Sequence, residues 1–291
     1  MLKQKHSLTV EGLNITFETG TLAKQANGAV TVRLGETTVF VAATAANSVK
    51  EGQDFFPLTV DYRDKYAAAG RFPGGYFKRE GKPSEKEILT GRLVDRPLRP
   101  LFPHGFMNDT QIIGMLFSVD GQNDPDVLMV NAASAALMVS DIPWNGPIGC
   151  VRVGMIDGQF VLNPTNSQKA LSDMDLLYVG TEHDMMMIEG SAQEISDEKF
   201  MEALEFAQAS IRPLIIAQRE LQKMANKPKR EFPLVVVEPA FLQKVRSIVS
   251  STLKVAVFKE GTKADRDEAV SAVYEQTTAT LKNELGDAFN D

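Results

Sequence analysis

Cysteine, histidine and tryptophan are nearly missing from this chain: one Cys, three His and one Trp in 291 residues. A lone Cys150 excludes an internal disulfide framework and a cysteine-based zinc cage, and so thiol-poor a chain suits a reducing compartment. Its neighbours Ile148, Gly149 and Val151 mark it as a buried thiol rather than a nucleophile. His6, His104 and His183 are scattered and stand in no triad or ligand spacing, so they read as surface or packing residues. No Walker phosphate loop, Gly-rich dinucleotide fingerprint, His-Glu-x-x-His or paired-Cys motif occurs. No apolar run approaches the ~20 residues of a membrane span. Met1–His6 lacks the apolar stretch of a secretion signal. These absences predict a soluble, cytoplasmic protein without a membrane partner, and they leave no recognisable local reaction centre.

What is present is a segregated patch of positive charge. The chain carries a net charge of -7, with 43% hydrophobic and 24% charged residues, an ordinary globular composition. Yet from Arg63 to Arg99 ten Lys and Arg stand against five Asp and Glu, so this window is +5 and the remainder -12. Such a patch attracts phosphate locally while the acidic remainder repels polyanions elsewhere. Within it, Tyr76 and Phe77 stand beside Lys78 and Arg79 after Gly74-Gly75. Rings next to cations are the combination that stacks unpaired bases and holds phosphates. The plainer alternative makes Phe77 a core residue and the charges a solvated rim. Six Arg to four Lys lean the patch towards phosphate, because a guanidinium is a fork donor.

The length predicts a large domain followed by a small one. Residues 29–34 and 37–42 flank Gly35 and read as a β-hairpin, as do the strands around Asp157-Gly158. Ser84-Glu-Lys-Glu87 is a capping box, and Pro97 predicts the end of its helix near Asp95. Arg92, Arg96 and Arg99 follow at spacings of four and three, presenting guanidiniums on one side. Asp124 reads as an N-cap with Pro125 at the first helical position. Leu176–Val179 and Met185–Ile188 read as paired strands, with the methionines filling core. Residues 197–225 read as a long helix interrupted or kinked near Pro213. Residues 227–233 read as a linker, and from about Pro239 the chain reads as helical to its end. The domains are therefore 1–235 and 236–291.

Several blocks together resemble a known family. Gly52–Val60, Ala68–Arg71, Phe77–Gly81, Arg92–Pro103 and Asn145–Gly149 are similar to the amino-terminal half of the bacterial polynucleotide phosphorylases, and the resemblance runs over essentially all 291 residues. It implies an α+β fold: an RNase PH-like core of mixed β-sheets packed on helices, followed by a small all-α domain truncated at its C-terminal end. It implies a parent homotrimer, with a second core and KH and OB-type modules downstream, in which inorganic phosphate attacks the 3′-terminal linkage of RNA and releases nucleoside diphosphates. Single-stranded RNA is the implied partner, an RNA-degradation complex a further one, and turnover of mRNA the implied role. Tyr76, Phe77, Lys78 and Arg79 match the family's Phe-Phe-Arg-Arg loop at the mouth of the central channel, keeping ring and charge but losing one fork donor. With Arg92, Arg96 and Arg99 they form the expected RNA-binding set.

The family's catalytic Asp, Asp and Lys fall here on Lys169, Asp175 and Leu177, and its phosphate-holding serines on Pro125-Asp126. Only Asp175 keeps its type, and it reads as structural. A carboxylate at Asp126 repels phosphate, and Leu177 carries neither charge nor donor. No catalytic residue is expected in this core, and magnesium is expected only at the parent's second core. One rival reading is a stand-alone, non-catalytic RNA-binding ring subunit of an exosome-like complex, which a second core downstream in the parent gene would exclude. The other is an independently active phosphorolytic nuclease, against which the three replacements argue.

Overall fold

The structure is a computed structural model, and it describes residues 5–286. These divide into two compact units, one ending at Leu234 and the other beginning at Val235. The first opens with strands β1 (His6–Val10), β2 (Ile15–Thr19), β3 (Gly28–Leu34), β4 (Thr37–Ala45) and β5 (Leu58–Asp64). A short 3-10 turn at Tyr66–Ala69, helix α1 (Glu85–Leu98) and strand β6 (Thr110–Ser118) follow. Helix α2 (Pro125–Met138) leads to β7 (Gly149–Ile156), β8 (Gln159–Leu162), the single turn α3 (Asn166–Lys169), β9 (Met174–Gly180), β10 (Met185–Ala192) and the long helix α4 (Asp197–Ala225).

The strands form a six-stranded sheet, ordered β1-β2-β3-β4-β6-β5, and a four-stranded sheet, ordered β10-β9-β7-β8. Every pairing is antiparallel except that of β5 with β6. Alternation explains the first sheet: Ile15, Phe17, Val30, Val32, Val39 and Val41 point into the core while their neighbours face out. Helix α2 is apolar around nearly its whole circumference, the pattern of a helix enclosed in the interior. It packs on β3, β4 and β7. Gly28 permits that approach, because a Cβ there would stand 2.1 Å from the Ala136 carbonyl oxygen. Asn131 clamps α2 to β7, donating to the Cys150 carbonyl at 2.8 Å and accepting from its N–H at 3.0 Å. Cys150 is fully buried, and burial holds its thiol far above the ordinary range.

Three local expectations are corrected. Helix α1 continues through Pro97 to Leu98, because a proline in the last turn forfeits only one hydrogen bond and Leu98 is buried. Helix α4 runs unbroken through Pro213. Of the methionines on β10, Met187 is buried in the core and Met186 packs against it, while Met185 is exposed at the strand end. Asp124 stands at the N-cap of α2 with Pro125 at the first helical position, as expected, while its carboxylate makes no cap hydrogen bond and pairs with Arg152 instead. The Asp157-Gly158 turn has φ of 51° and 75°, as a tight hairpin requires.

The second unit contains α5 (Pro239–Val257) and α6 (Lys263–Leu285), which pack on each other and are joined by a Lys244–Glu284 ion pair of 2.5 Å. Thr262 and Asp265 form a capping box at the start of α6. Residues 1–4 and 287–291, including the last stretch expected to be helical, lie outside the described residues.

Candidate nucleic-acid interface

Tyr76 and Phe77 form the turn of the loop before α1 and are 93% and 79% exposed. That disposes of the core reading for Phe77. The two rings meet edge to face at 5.3 Å, and Lys78 reaches over the ring of Phe72 at 5.3 Å. Gly75 has φ of 74°, a left-handed conformation that glycine takes without a Cβ penalty. Glu80 closes the base of the loop, accepting from the Tyr66 N–H at 3.3 Å and pairing with Lys65 at 2.8 Å. The tip is thus held at its root while its aromatic faces remain free.

Helix α1 is anchored by Glu87. Its carboxylate accepts from the backbone N–H of Ser84 at 2.6 Å and of Asp64 at 2.9 Å, tying the helix start to the end of β5. Burial works against the charged form, yet these hydrogen bonds and Arg63 hold the carboxyl below its usual range. Arg92 and Arg63 line a cleft of about 170 Å³ between α1 and β5, with Tyr62 and Ile88.

The cations of the window divide into two groups. Among the described residues, Arg63, Arg71, Lys78, Arg79, Lys82, Lys86 and Arg92 have no carboxylate within ion-pair distance, whereas Lys65, Arg96 and Arg99 do. Arg96 pairs with Glu189 of β10 at 2.7 Å, both half exposed. Arg99 is a brace: it donates to Asp95 at 2.7 and 2.8 Å and to the Phe56 and Leu58 carbonyls at 3.1 Å, and it stacks over Phe56. Little of its guanidinium is left to offer a phosphate, so of the three arginines expected on one side only Arg92 is unpaired.

A second constellation gathers residues dispersed in sequence. Arg152 of β7 points among three carboxylates, meeting Asp126 at 2.5 Å, Asp175 of β9 at 2.5 Å and Asp124 at 3.3 Å. Lys169 at the end of α3 pairs with Asp124. The Asp126 carboxyl is raised above its usual range, because burial outweighs the attraction of Arg152. Leu177 is buried on β9, in register with Arg152. Together Asp126, Arg152, Asp175 and Leu177 line one side of a cleft of about 560 Å³ whose other walls are α1 and β10. Each carboxylate already has a cation, and among the described residues no group of three or more His, Cys, Asp or Glu side chains is placed to hold a metal ion. Sequence reasoning found Asp126, Lys169, Asp175 and Leu177 but missed Arg152. Its signal was an arginine alone in the otherwise apolar strand Val151–Ile156.

Two sheets enclosing a central helix, with a long second helix over the smaller sheet and a small all-α unit after them, make this an RNase PH-like α+β core. Rice Rrp46 shares the fold with a TM-score of 0.57 at 14% identity, over 77% of this chain and 96% of that one. The model of domain 1 of the 3′ exoribonuclease family matches residues 11–143, and that of domain 2 matches residues 146–210. The chain belongs to the 3′ exoribonuclease family, and its sequence is similar to part of the bacterial polyribonucleotide nucleotidyltransferases. The polyribonucleotide nucleotidyltransferase of Opitutus terrae is 57% identical over 291 residues, all of this chain and 40% of that protein. That of Methylacidiphilum infernorum is 52% identical over 271 residues, 93% of this chain and 38% of that protein. The chain thus spans about two fifths of the length of these curated relatives. Among the described residues no helix is long and apolar enough to cross a membrane.

Proposed function

We propose that this chain is the RNA-gripping and assembly half of a 3′-to-5′ phosphorolytic exoribonuclease that takes part in mRNA turnover in the cytoplasm. The observation that carries the reading is the exposed Tyr76–Phe77 tip beside Lys78 and Arg79, with Arg92 on the helix that follows, cations that among the described residues have no carboxylate within ion-pair distance. Free guanidiniums beside solvent-facing rings bind a single strand through phosphate and base together. Arg96 and Arg99 act chiefly by positioning α1, the first against Glu189 and the second against Asp95 and the chain before β5.

This core does not catalyse. Phosphorolysis needs a site that accepts inorganic phosphate, and here the position is occupied by Asp126, whose charge opposes an anion, and by Arg152, whose guanidinium is consumed by three carboxylates. Asp175 is held by that same arginine, and Leu177 offers neither proton nor charge. In this reading magnesium, phosphate and nucleoside diphosphates belong to a second core in the parent protein. The parent is a homotrimer whose three copies of the Tyr76–Arg79 loop face one channel, and an RNA-degradation complex is its further partner.

The test measures nucleoside diphosphate release from a short oligoribonucleotide by the chain alone, with magnesium and phosphate, alongside binding of the same RNA. Binding without release is expected. Release by the purified chain would overturn the non-catalytic reading, and absence of binding the gripping one.

A further inference from the structure

Strand β5 is the outermost strand of the six-stranded sheet, so one of its edges has no neighbouring strand. Alternation decides which groups face that edge. The Pro57 carbonyl accepts from the N–H of Thr110 on β6 at 3.0 Å, so Leu58, Val60, Tyr62 and Asp64 turn their backbone N–H and C=O the other way. Both ends of the open edge are closed by side chains: the Leu58 carbonyl accepts from Arg99 at 3.1 Å, and the Asp64 N–H donates to Glu87 at 2.9 Å. Between them the Val60 carbonyl and the Tyr62 N–H face α1 across the cleft of about 170 Å³. Helix α1 presents Gly91 at that point, where a Cβ would stand 3.0 Å from the Val60 oxygen, so glycine leaves open an acceptor that a side chain would cover. The rest of the lining suits a polar ring. Pro83 and Ile88 supply apolar wall, and Arg63 and Arg92 make no ion pair, although Arg63 stands near enough to Glu87 to help hold its carboxyl low. Glu87 is spent on backbone N–H groups and Asp95 on Arg99, while Asp61 has no partner among the described residues. A cavity of about 150 Å³ holds a benzene ring, so this cleft has room for one planar base.

Resting on the RNA-gripping reading, we propose that the cleft between α1 and β5 is a base subsite for the strand, selective for bases that carry an amino donor beside a ring-nitrogen acceptor, namely adenine and cytosine. In a parallel sheet a single residue of the next strand would donate to the Val60 carbonyl and accept from the Tyr62 N–H. The base edge takes the place of that residue: its amino group donates to Val60 and its ring nitrogen accepts from Tyr62. Guanine and uracil present the reverse order, an oxygen towards Val60 and an N–H towards Tyr62, so like meets like and both backbone groups lose their partners. Arg63 and Arg92 take the adjoining phosphate, and Asp61 is the acceptor available to a 2′-hydroxyl.

The experiment compares binding of short oligoribonucleotides of A, C, U and inosine by fluorescence anisotropy at one salt concentration. Inosine keeps the purine and reverses the edge. The A and C strands are expected to bind at least about fivefold tighter than the U and inosine strands, the lower end for a bidentate base contact. Gly91→Ala covers the Val60 acceptor while favouring helix, and Ile88→Trp fills the cleft from an exposed position. Each should bring that ratio close to one while the Tyr76–Arg79 loop still binds. Equal binding of all the strands by wild type, or a preference that survives both variants, would overturn the subsite and leave the grip of the loop standing. AMP and IMP test the cleft without a strand: AMP should shift the Tyr62 amide resonance and IMP should not. No shift with AMP, or an equal shift with both, would overturn the subsite whether or not RNA binds, whereas failure of every strand to bind would overturn the gripping reading.

Discussion

Replacing Arg152 by methionine keeps much of the side-chain volume and removes the cation shared by Asp124, Asp126 and Asp175. The arginine side chain is 12% exposed, and Asp124 and Asp126 are similarly enclosed at 16% and 18%. Breaking a buried pair from one side costs about 3–5 kcal/mol, since a charge is left without compensation. Two features bring the expectation to the lower end. Lys169 still neutralises Asp124, and Asp175 is 42% exposed and can turn to water. We therefore expect a loss of about 3 kcal/mol in urea unfolding at pH 7, or about 6–12 °C in Tm for a unit of this size. The pH dependence identifies the cause. Burial already raises the folded-state carboxyl of Asp126, and loss of Arg152 raises it further. The folded variant then binds a proton more readily than the unfolded chain, so lowering the pH from 7 to 5 should narrow its deficit. Adding Asp126→Asn should recover at least ~1 kcal/mol, because the most enclosed uncompensated charge is gone. A single variant within ~1 kcal/mol of wild type, or a deficit that does not change with pH, would refute the structural role given to this cluster.

Two further outcomes follow from the segment after α4. Limited proteolysis should cut first at 233–238, where Leu234, Val235, Val236 and Val237 are exposed, and not at 227–232, which contacts of Lys227 with Asn27, Lys229 with Leu137 and Arg230 with Asp141 hold down; a first cut within α2 would contradict this. Burial, against the pull of Asp141, lowers the Lys229 ammonium to about 8. Lys229 is protonated in both folded and unfolded chains below pH 8, and above it the folded chain loses the proton while the unfolded chain keeps it to about pH 10.4. The stability of wild type relative to Lys229→Met should therefore rise between pH 8 and 10, by ~1 kcal/mol once partial exposure is allowed for, and a fall over that range would show the shift has the wrong sign.

Local order was legible wherever a short-range rule governs it. Ser84 and Glu87 announced α1 because a capping box is complete within four residues, and Asp157-Gly158 announced its hairpin because a tight turn demands positive φ. Pro97 misled, since its cost depends on how much helix follows, and here only Leu98 does. The placement of β6 between β4 and β5, parallel to β5, was not legible, because a crossover leaves no mark on periodicity. The aromatic tip could be read as a site but its exposure could not, since ring and charge next to each other fit a core edge equally well. Arg99 looked like a neighbour of Arg92 and Arg96, and only the folded chain brings Phe56 and Leu58 beneath it. The Arg152 cluster escaped for the same reason: its members span Asp124 to Asp175, and the paired carboxylates became visible together only when β7 and β9 came into register.

The central claim is that this chain grips single-stranded RNA through phosphate at Arg79 and Arg92 and through base stacking at Phe77. Fluorescence anisotropy with a short oligoribonucleotide over a salt series separates the two contributions. Arg79→Ala and Arg92→Ala should each weaken binding and flatten the slope of log affinity against log salt by up to ~0.7, the value of one phosphate contact on a single strand. Phe77→Ala, at a 79% exposed position, should leave the fold and the slope intact while removing about 1–3 kcal/mol of affinity. If both arginine variants bind as wild type does at every salt concentration and Phe77→Ala loses nothing, the patch is a solvated rim and the account is wrong.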